Sequence, residues 1–151
     1  MIKAGLITFL MAMVPVVELR GAIPYGVLAG LSIPTAYILA VLGNLLPIPF
    51  LVVFTRIVFE WLRTKHESLD AFVSKMEAKA DKHKDLVMKS EFIGLMIIVA
   101  IPLPGTGAWT GALVAAMLDM RLKRAMPAIA LGVIIAGLLV TGVTYGAGEL
   151  M

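Results

Sequence analysis

A chain of 151 residues that is 60% hydrophobic and 15% charged, with a mean hydropathy of +0.98, is not composed like a soluble domain. Soluble domains carry about 25% charged residues. The length leaves no room for a separate soluble catalytic domain, and the absence of cysteine excludes disulfides, thiolate metal sites and cysteine nucleophiles. A formal charge of +3 matters less than where the charges stand, and no nucleic-acid partner is expected.

The first segment, 4–31, is apolar but interrupted by Pro15, Glu18, Arg20, Gly21 and Pro24. Lys3 and the apolar run to Val17 could pass for a signal peptide, yet no small-x-small site follows and cleavage is not expected. Glu18 and Arg20 stand in a stretch otherwise uncharged from Ala4 to Thr55. Each such charge costs roughly 2.5–3.5 kcal/mol at the centre of a membrane helix, so the pair needs water, a partner or a substrate. The second segment, 35–59, is a long apolar run with Asn44, Pro47 and Pro49 inside it, features that suit a gating kink or, the preferred reading, a packing accommodation.

The strongly polar stretch 62–89 reads as a linker helix. Thr64-Lys65-His66-Glu67 has the pattern of a capping box, and Leu69, Phe72, Val73, Met76, Ala80 and Val87 fall on one helical face. With lysines opposite, it suits an amphipathic helix on a leaflet or against the membrane body. His66 and His83 have no second ligand at helical spacing, so neither a metal site nor a cofactor is expected.

The segment 92–118 is broken at Pro102, Leu103, Pro104, Gly105, Thr106 and Gly107, and 125–148 is a second clean spanning candidate. Paired prolines with glycines end a helix. Each half of a broken segment is then about 10–14 residues, too short for a hydrocarbon core of ~30 Å at 1.5 Å per residue. Irregular backbone at that depth survives only where protein buries it or it lines a wet cavity. Both broken segments are therefore expected to be re-entrant hairpins, with Gly21, Pro24, Pro102, Pro104, Gly105 and Gly107 at their turns.

Hairpins put Lys3 on one face, Arg20 at depth and the remaining 11 of 13 basic residues on the other face. The positive-inside rule then makes the linker cytoplasmic and both termini outside. Hairpin followed by span occurs twice. Gly21, Gly26, Leu31 and Gly43 match Gly105, Gly111, Leu118 and Gly132 at spacings of 84, 85, 87 and 89, and Tyr25 meets Trp109 at 84. The expected fold is thus all-α and membrane-embedded in one domain, with an inverted repeat over 1–61 and 91–151 joined by the amphipathic helix 62–90. Transporters of this build place substrate near the midplane between broken helices.

Glu18 is the expected proton-coupling residue, since burial and a neighbouring guanidinium pull in opposite senses on such a carboxylate. Arg20 can hold an anionic group through its planar fork. A helix restarting near Ala108 would aim free N–H groups at the midplane, which favours an anion there. Thr106 and Thr110 add hydroxyls, and Trp109 and Tyr25 add rings for a lipophilic substrate or for ordinary packing. Glycines spaced for close helix contact, and the thin wall that so small a protein offers a polar path, allow a homodimer. Phosphate-loop, dinucleotide and nucleophile-elbow patterns are lacking, and no enzyme is expected.

The residues Glu18-Leu19-Arg20-Gly21-Ala22-Ile23-Pro24, the pair Gly43-Asn44, and the run from Pro102 to Leu113 resemble the small multi-drug export protein family, over nearly the whole chain. The family is similar to the DedA/VTT membrane proteins. The resemblance implies two opposed re-entrant hairpins and a proton-linked transporter at the cell (inner) membrane. Proteins of the DedA type carry an acidic residue in the first hairpin and arginine in the second; here Glu18 matches, but Arg20 stands in the first. The expectation is proton-coupled export of a lipophilic or lipid-like molecule through the bilayer. Flipping of lipid-phosphate carriers is the alternative, and a non-transporting membrane scaffold a third.

Overall fold

The structure, a computed structural model, describes residues 1–64, 67–81, 91–103 and 106–146, and its elements are all helical. In chain order they are α1 (Ile2–Met13), α2 (Glu18–Leu28), α3 (Ile33–Leu45), α4 (Ile48–Arg63), α5 (Glu67–Asp81), α6 (Glu91–Ala100), α7 (Ala108–Met117) and α8 (Leu122–Thr141), which runs into a π-helical turn, Gly142–Gly146.

Both interrupted segments are two short helices around a break. The first break comes earlier than the glycine and proline pattern suggested. Val14 precedes Pro15, which disfavours helical backbone, and it is extended at φ −78° and ψ 130°. The chain turns over 14–17, and Gly21 and Pro24 lie inside α2 rather than at the turn. Gly21 is needed for packing, because a Cβ there would sit 2.6 Å from Val17 Cγ1. Pro24 is carried within α2 as an internal proline. The second break holds Pro102, Leu103, Thr106 and Gly107, while Pro104 and Gly105 lie outside the described residues.

The two halves repeat one local plan. After α2, Leu31 N–H donates to the Gly26 carbonyl at 2.9 Å and Gly30 N–H to that of Val27 at 3.0 Å. After α7, Met120 N–H donates to Ala115 at 2.9 Å and Asp119 N–H to Ala116 at 3.3 Å. This is the same Schellman cap twice, with Gly30 (φ +94°) and Asp119 (φ +57°) as its left-handed residues. Corresponding residues lie 89 apart throughout, as do the helix starts Ile33 and Leu122. The spacings of 84, 85 and 87 drawn from residue identity are therefore not the register of these caps; Gly43 and Gly132 alone among those matches keep it. These two glycines share a role, since a Cβ at Gly43 would run into the Phe9 carbonyl and one at Gly132 would lie 2.8 Å from that of Met96.

Accordingly α1 packs on α3, and α6 on α8; the halves meet where α3 faces α8 and α4 faces α7. Alanines fill the interior, with Ala12, Ala22, Ala40, Ala108, Ala112 and Ala128 fully buried, as suits helices that approach closely in lipid. Among the described residues, two stretches are long and apolar enough to cross a bilayer, Ile33–Leu62 and Leu122–Gly146, the first made of α3 and α4 with Pro47 between them. Only 33% of each spanning window is buried, far less than a soluble core helix would be. Ile38, Leu42, Phe50, Phe54, Leu131 and Leu138 face outward. An apolar exterior of this extent calls for a hydrocarbon or protein cover.

The linker helix α5 packs against α4 and α7, with Val73 buried and Phe72 half exposed. Lys65 and His66 of the capping pattern, together with His83 and Val87, lie outside the described residues.

Candidate functional site

The two breaks meet, and each closes the other. Glu18 opens α2 in a left-handed conformation (φ +47°), which is costly for a residue with a Cβ. That conformation sends its side chain across to the other half, where it is 4% exposed. Trp109 N–H, in the first turn of α7, donates to Glu18 Oε1 at 3.2 Å, and the Ala108 N–H also turns to this carboxylate. Helix α7 has no side-chain cap of its own, because Gly107 stands at its N-cap. A helix start carries unpaired donors and a partial positive charge, so a carboxylate there is favourable. The anion expected at this helix start is thus the chain's own Glu18.

Gly107 is required twice over. Its φ of +112° suits only glycine, and a Cβ would collide with Glu18 Oε2 and come within 3.1 Å of Arg20 Nη2.

Arg20 belongs by sequence to the first broken segment, but its guanidinium lies on the second. Nη1 donates to the Leu103 carbonyl at 2.6 Å and Nη2 to Thr106 Oγ1 at 3.0 Å. Thr106 ties the loop to itself. Its hydroxyl lies 2.5 Å from the Ile101 carbonyl and 2.6 Å from that of Leu103, and it accepts from Leu103 N–H at 3.2 Å. Arg20 also acts on Glu18 through space. In the other direction, Trp109 Nε1 donates to the Met13 carbonyl at 3.2 Å, capping the end of α1.

Of the remaining residues singled out in the sequence, Thr110 follows Trp109 on α7 and is half-buried. Tyr25 stands two helical turns along α2 from Glu18, roughly 10 Å of axial rise, and outside this cluster. Pro102 is exposed on the loop that Arg20 grips. No group of three or more His, Asp or Glu able to hold a metal occurs among the described residues.

Two residues were missed. Arg56 on α4 closes the opposite end of α7, donating from Nε to Ala116 at 3.1 Å and from Nη2 to Met120 at 2.7 Å, and pairing with Asp119 at 3.0 Å. It is the first charge after Arg20, which was the available signal. Asn44 is the second. It is 1% exposed, and neither Nδ2 nor Oδ1 has a hydrogen-bond partner. Burying such a group unpaired costs about 1–3 kcal/mol. It borders an interstice of about 180 Å³ shared with Glu18, Arg20, Gly107 and Val133, with no space wide enough for a water molecule.

Beside the junction runs an open apolar groove of about 490 Å³, lined by Met13, Leu46, Pro47, Phe50, Phe54 and Val58 among others. Its lining includes Met13, the residue whose carbonyl the Trp109 ring caps.

Neither a curated protein nor a solved structure matches this chain. The family described as "Putative small multi-drug export protein" matches residues 18–139, a span that opens on Glu18, just after the first break, and takes in Arg20, Asn44, Arg56 and the second break. With the greater part of its length matched, the chain belongs to the small multi-drug export protein family.

Proposed function

We propose that this protein is a multipass membrane transporter that couples proton movement to export of a lipophilic small molecule, with Glu18 as the group that carries the proton. The observation behind this reading is the Glu18 carboxylate, buried at the start of the other half's helix. Ionised, it holds α7 by a charge-assisted hydrogen bond and by attraction to the helix start. Such contacts contribute about 1.5–3 kcal/mol and 0.3–2 kcal/mol. One proton on the carboxylate removes the charge that both depend on. Proton occupancy therefore biases whether the breaks stay closed on each other.

The cargo reading draws on the apolar groove that Met13 helps to line. A lipophilic molecule leaving it meets the Trp109 ring and then the Arg20–Thr106 loop; Thr110 and Tyr25 extend the path along α7 and α2. The common plan of the two halves, 89 residues apart, supports an inverted repeat whose short helix pairs dip into the bilayer from opposite faces. The distribution of basic residues supports an orientation with α5 on the cytoplasmic side and both termini outside.

Glu18→Gln keeps an acceptor oxygen for the Trp109 N–H but cannot ionise. In proteoliposomes loaded with a lipophilic cation such as ethidium, substrate-driven proton movement should be abolished in this variant. Coupling equal to the parent protein's would remove Glu18 from the mechanism.

A further inference from the structure

Asn44 is the chain's single amide side chain, as there is no other asparagine and no glutamine. It lies on α3, which cannot back away at this level because Gly43 is pressed on the Phe9 carbonyl of α1. Both of its polar atoms are buried and unpartnered. Packing alone does not demand an amide here. The equivalent place in the second half, 89 residues on, holds Val133, which borders the same interstice. A buried, unpaired amide where valine serves in the other half points to a partner that arrives in another state of the protein.

The groups around the interstice narrow the choice. Leu19, Val99, Ala108, Val133 and Ala136 offer no polar side-chain atom, and Gly107 has no side chain. Arg20 is engaged with Leu103 and Thr106. What remains is Glu18. As a carboxylate it presents acceptors only and is bonded to the start of α7. As a carboxylic acid it presents one O–H donor and one carbonyl acceptor, the complement of Asn44 Oδ1 and Nδ2–H.

We propose that Asn44 is the docking group for the proton-loaded Glu18 side chain. The acid donates its O–H to Asn44 Oδ1 and accepts from Nδ2–H, while the bond from Trp109 N–H is given up. Glu18 then has two seats: ionised on the start of α7, protonated on α3. A single proton taken up at Glu18 moves the carboxyl between the halves, and no further reactant is needed. This rests on the reading of Glu18 as the proton carrier and adds where the proton-loaded form is held.

The other charged or titratable groups on the helices packed about Glu18 do not compete for this role. Lys3 on α1, Glu91 on α6 and Lys123 and Arg124 on α8 are exposed, and Arg124 pairs with Glu91. Tyr25 on α2 is two turns away, and Tyr37 on α3 donates its hydroxyl to the Ile134 carbonyl. Arg20 keeps its charge in both states.

Because Asn44 is unique, selective 15N-asparagine labelling gives a single side-chain NH2 pair, readable in the full chain in micelles without any substrate. Acidification should shift that pair downfield in the parent protein and leave it still in Glu18→Gln. A pair that does not move, or moves equally in Glu18→Gln, overturns the proposal. Asn44→Val, which copies the second half's Val133, supplies a second readout. It should raise Tm under alkaline conditions, where the amide is unpaired, and lose that gain under acid, where the pairing is forfeited. A gain that is the same at both ends, or none at either, counts against the docking. The spectroscopic result stands apart from transport: coupling that survives Glu18→Gln refutes the transport mechanism, whereas an immobile Asn44 signal refutes only the second seat.

Discussion

Gly107→Ala tests the junction most directly. The substitution adds one methyl group at the point where Glu18 and Arg20 converge, and it forces an L-residue to φ +112°. The backbone conformation alone costs about 1–3 kcal/mol. Displacing the carboxylate from the Trp109 N–H forfeits about 1.5–3 kcal/mol more. The sum, about 2.5–6 kcal/mol, corresponds to a fall in Tm of about 5–24 °C for a chain of this size. Gly30→Ala is the control, because Gly30 also has positive φ (+94°) but nothing within 4 Å of the added Cβ. It should lose only the conformational part. Thermal unfolding in micelles, followed by circular dichroism, compares the two, and the Glu18→Ala background should erase most of the excess at Gly107. If Gly107→Ala costs no more than Gly30→Ala, or if its excess persists without the Glu18 carboxylate, the carboxylate is not seated where described.

Two further outcomes follow from the same geometry. Trp109→Phe keeps an aromatic ring, though a smaller one, and removes the Nε1–H that caps Met13; loss of that hydrogen bond should cost about 0.5–1.5 kcal/mol, read as a fall of a few degrees in Tm; no change would mean the indole cap contributes nothing. Single cysteines at Ser32 and Asp119, both exposed, should react with an impermeant maleimide from opposite faces of sealed vesicles; labelling from one face would end the opposed-entry arrangement.

The sequence displays the two interruptions because proline and glycine act locally, so Pro15, Pro102 and Gly107 mark breaks without tertiary information. It also displays Glu18 and Arg20, since charge in an apolar run stands out whatever the fold. Other features depend on contacts between distant residues. Gly21 resembles a turn glycine in sequence, but its reason is the Val17 side chain one turn earlier in space. The 89-residue spacing of the two helix caps is hidden because they use different residues, glycine at 30 and aspartate at 119, both left-handed. Matching glycine to glycine therefore misses the spacing of the caps. Asn44 reads as a packing residue until its neighbours are known, and the reach of Arg20 into the second break spans 83 residues of chain.

The partner of Glu18 lies 91 residues further along the chain. At typical synthesis rates of 5–20 residues per second, roughly 5–18 s pass between translation of Glu18 and of Trp109. Through that interval the Glu18 carboxylate lacks the N–H donor of α7 and the end of α1 lacks its indole. Closure of the two breaks on each other is therefore a late, joint event of biogenesis, possible only after both halves have been made.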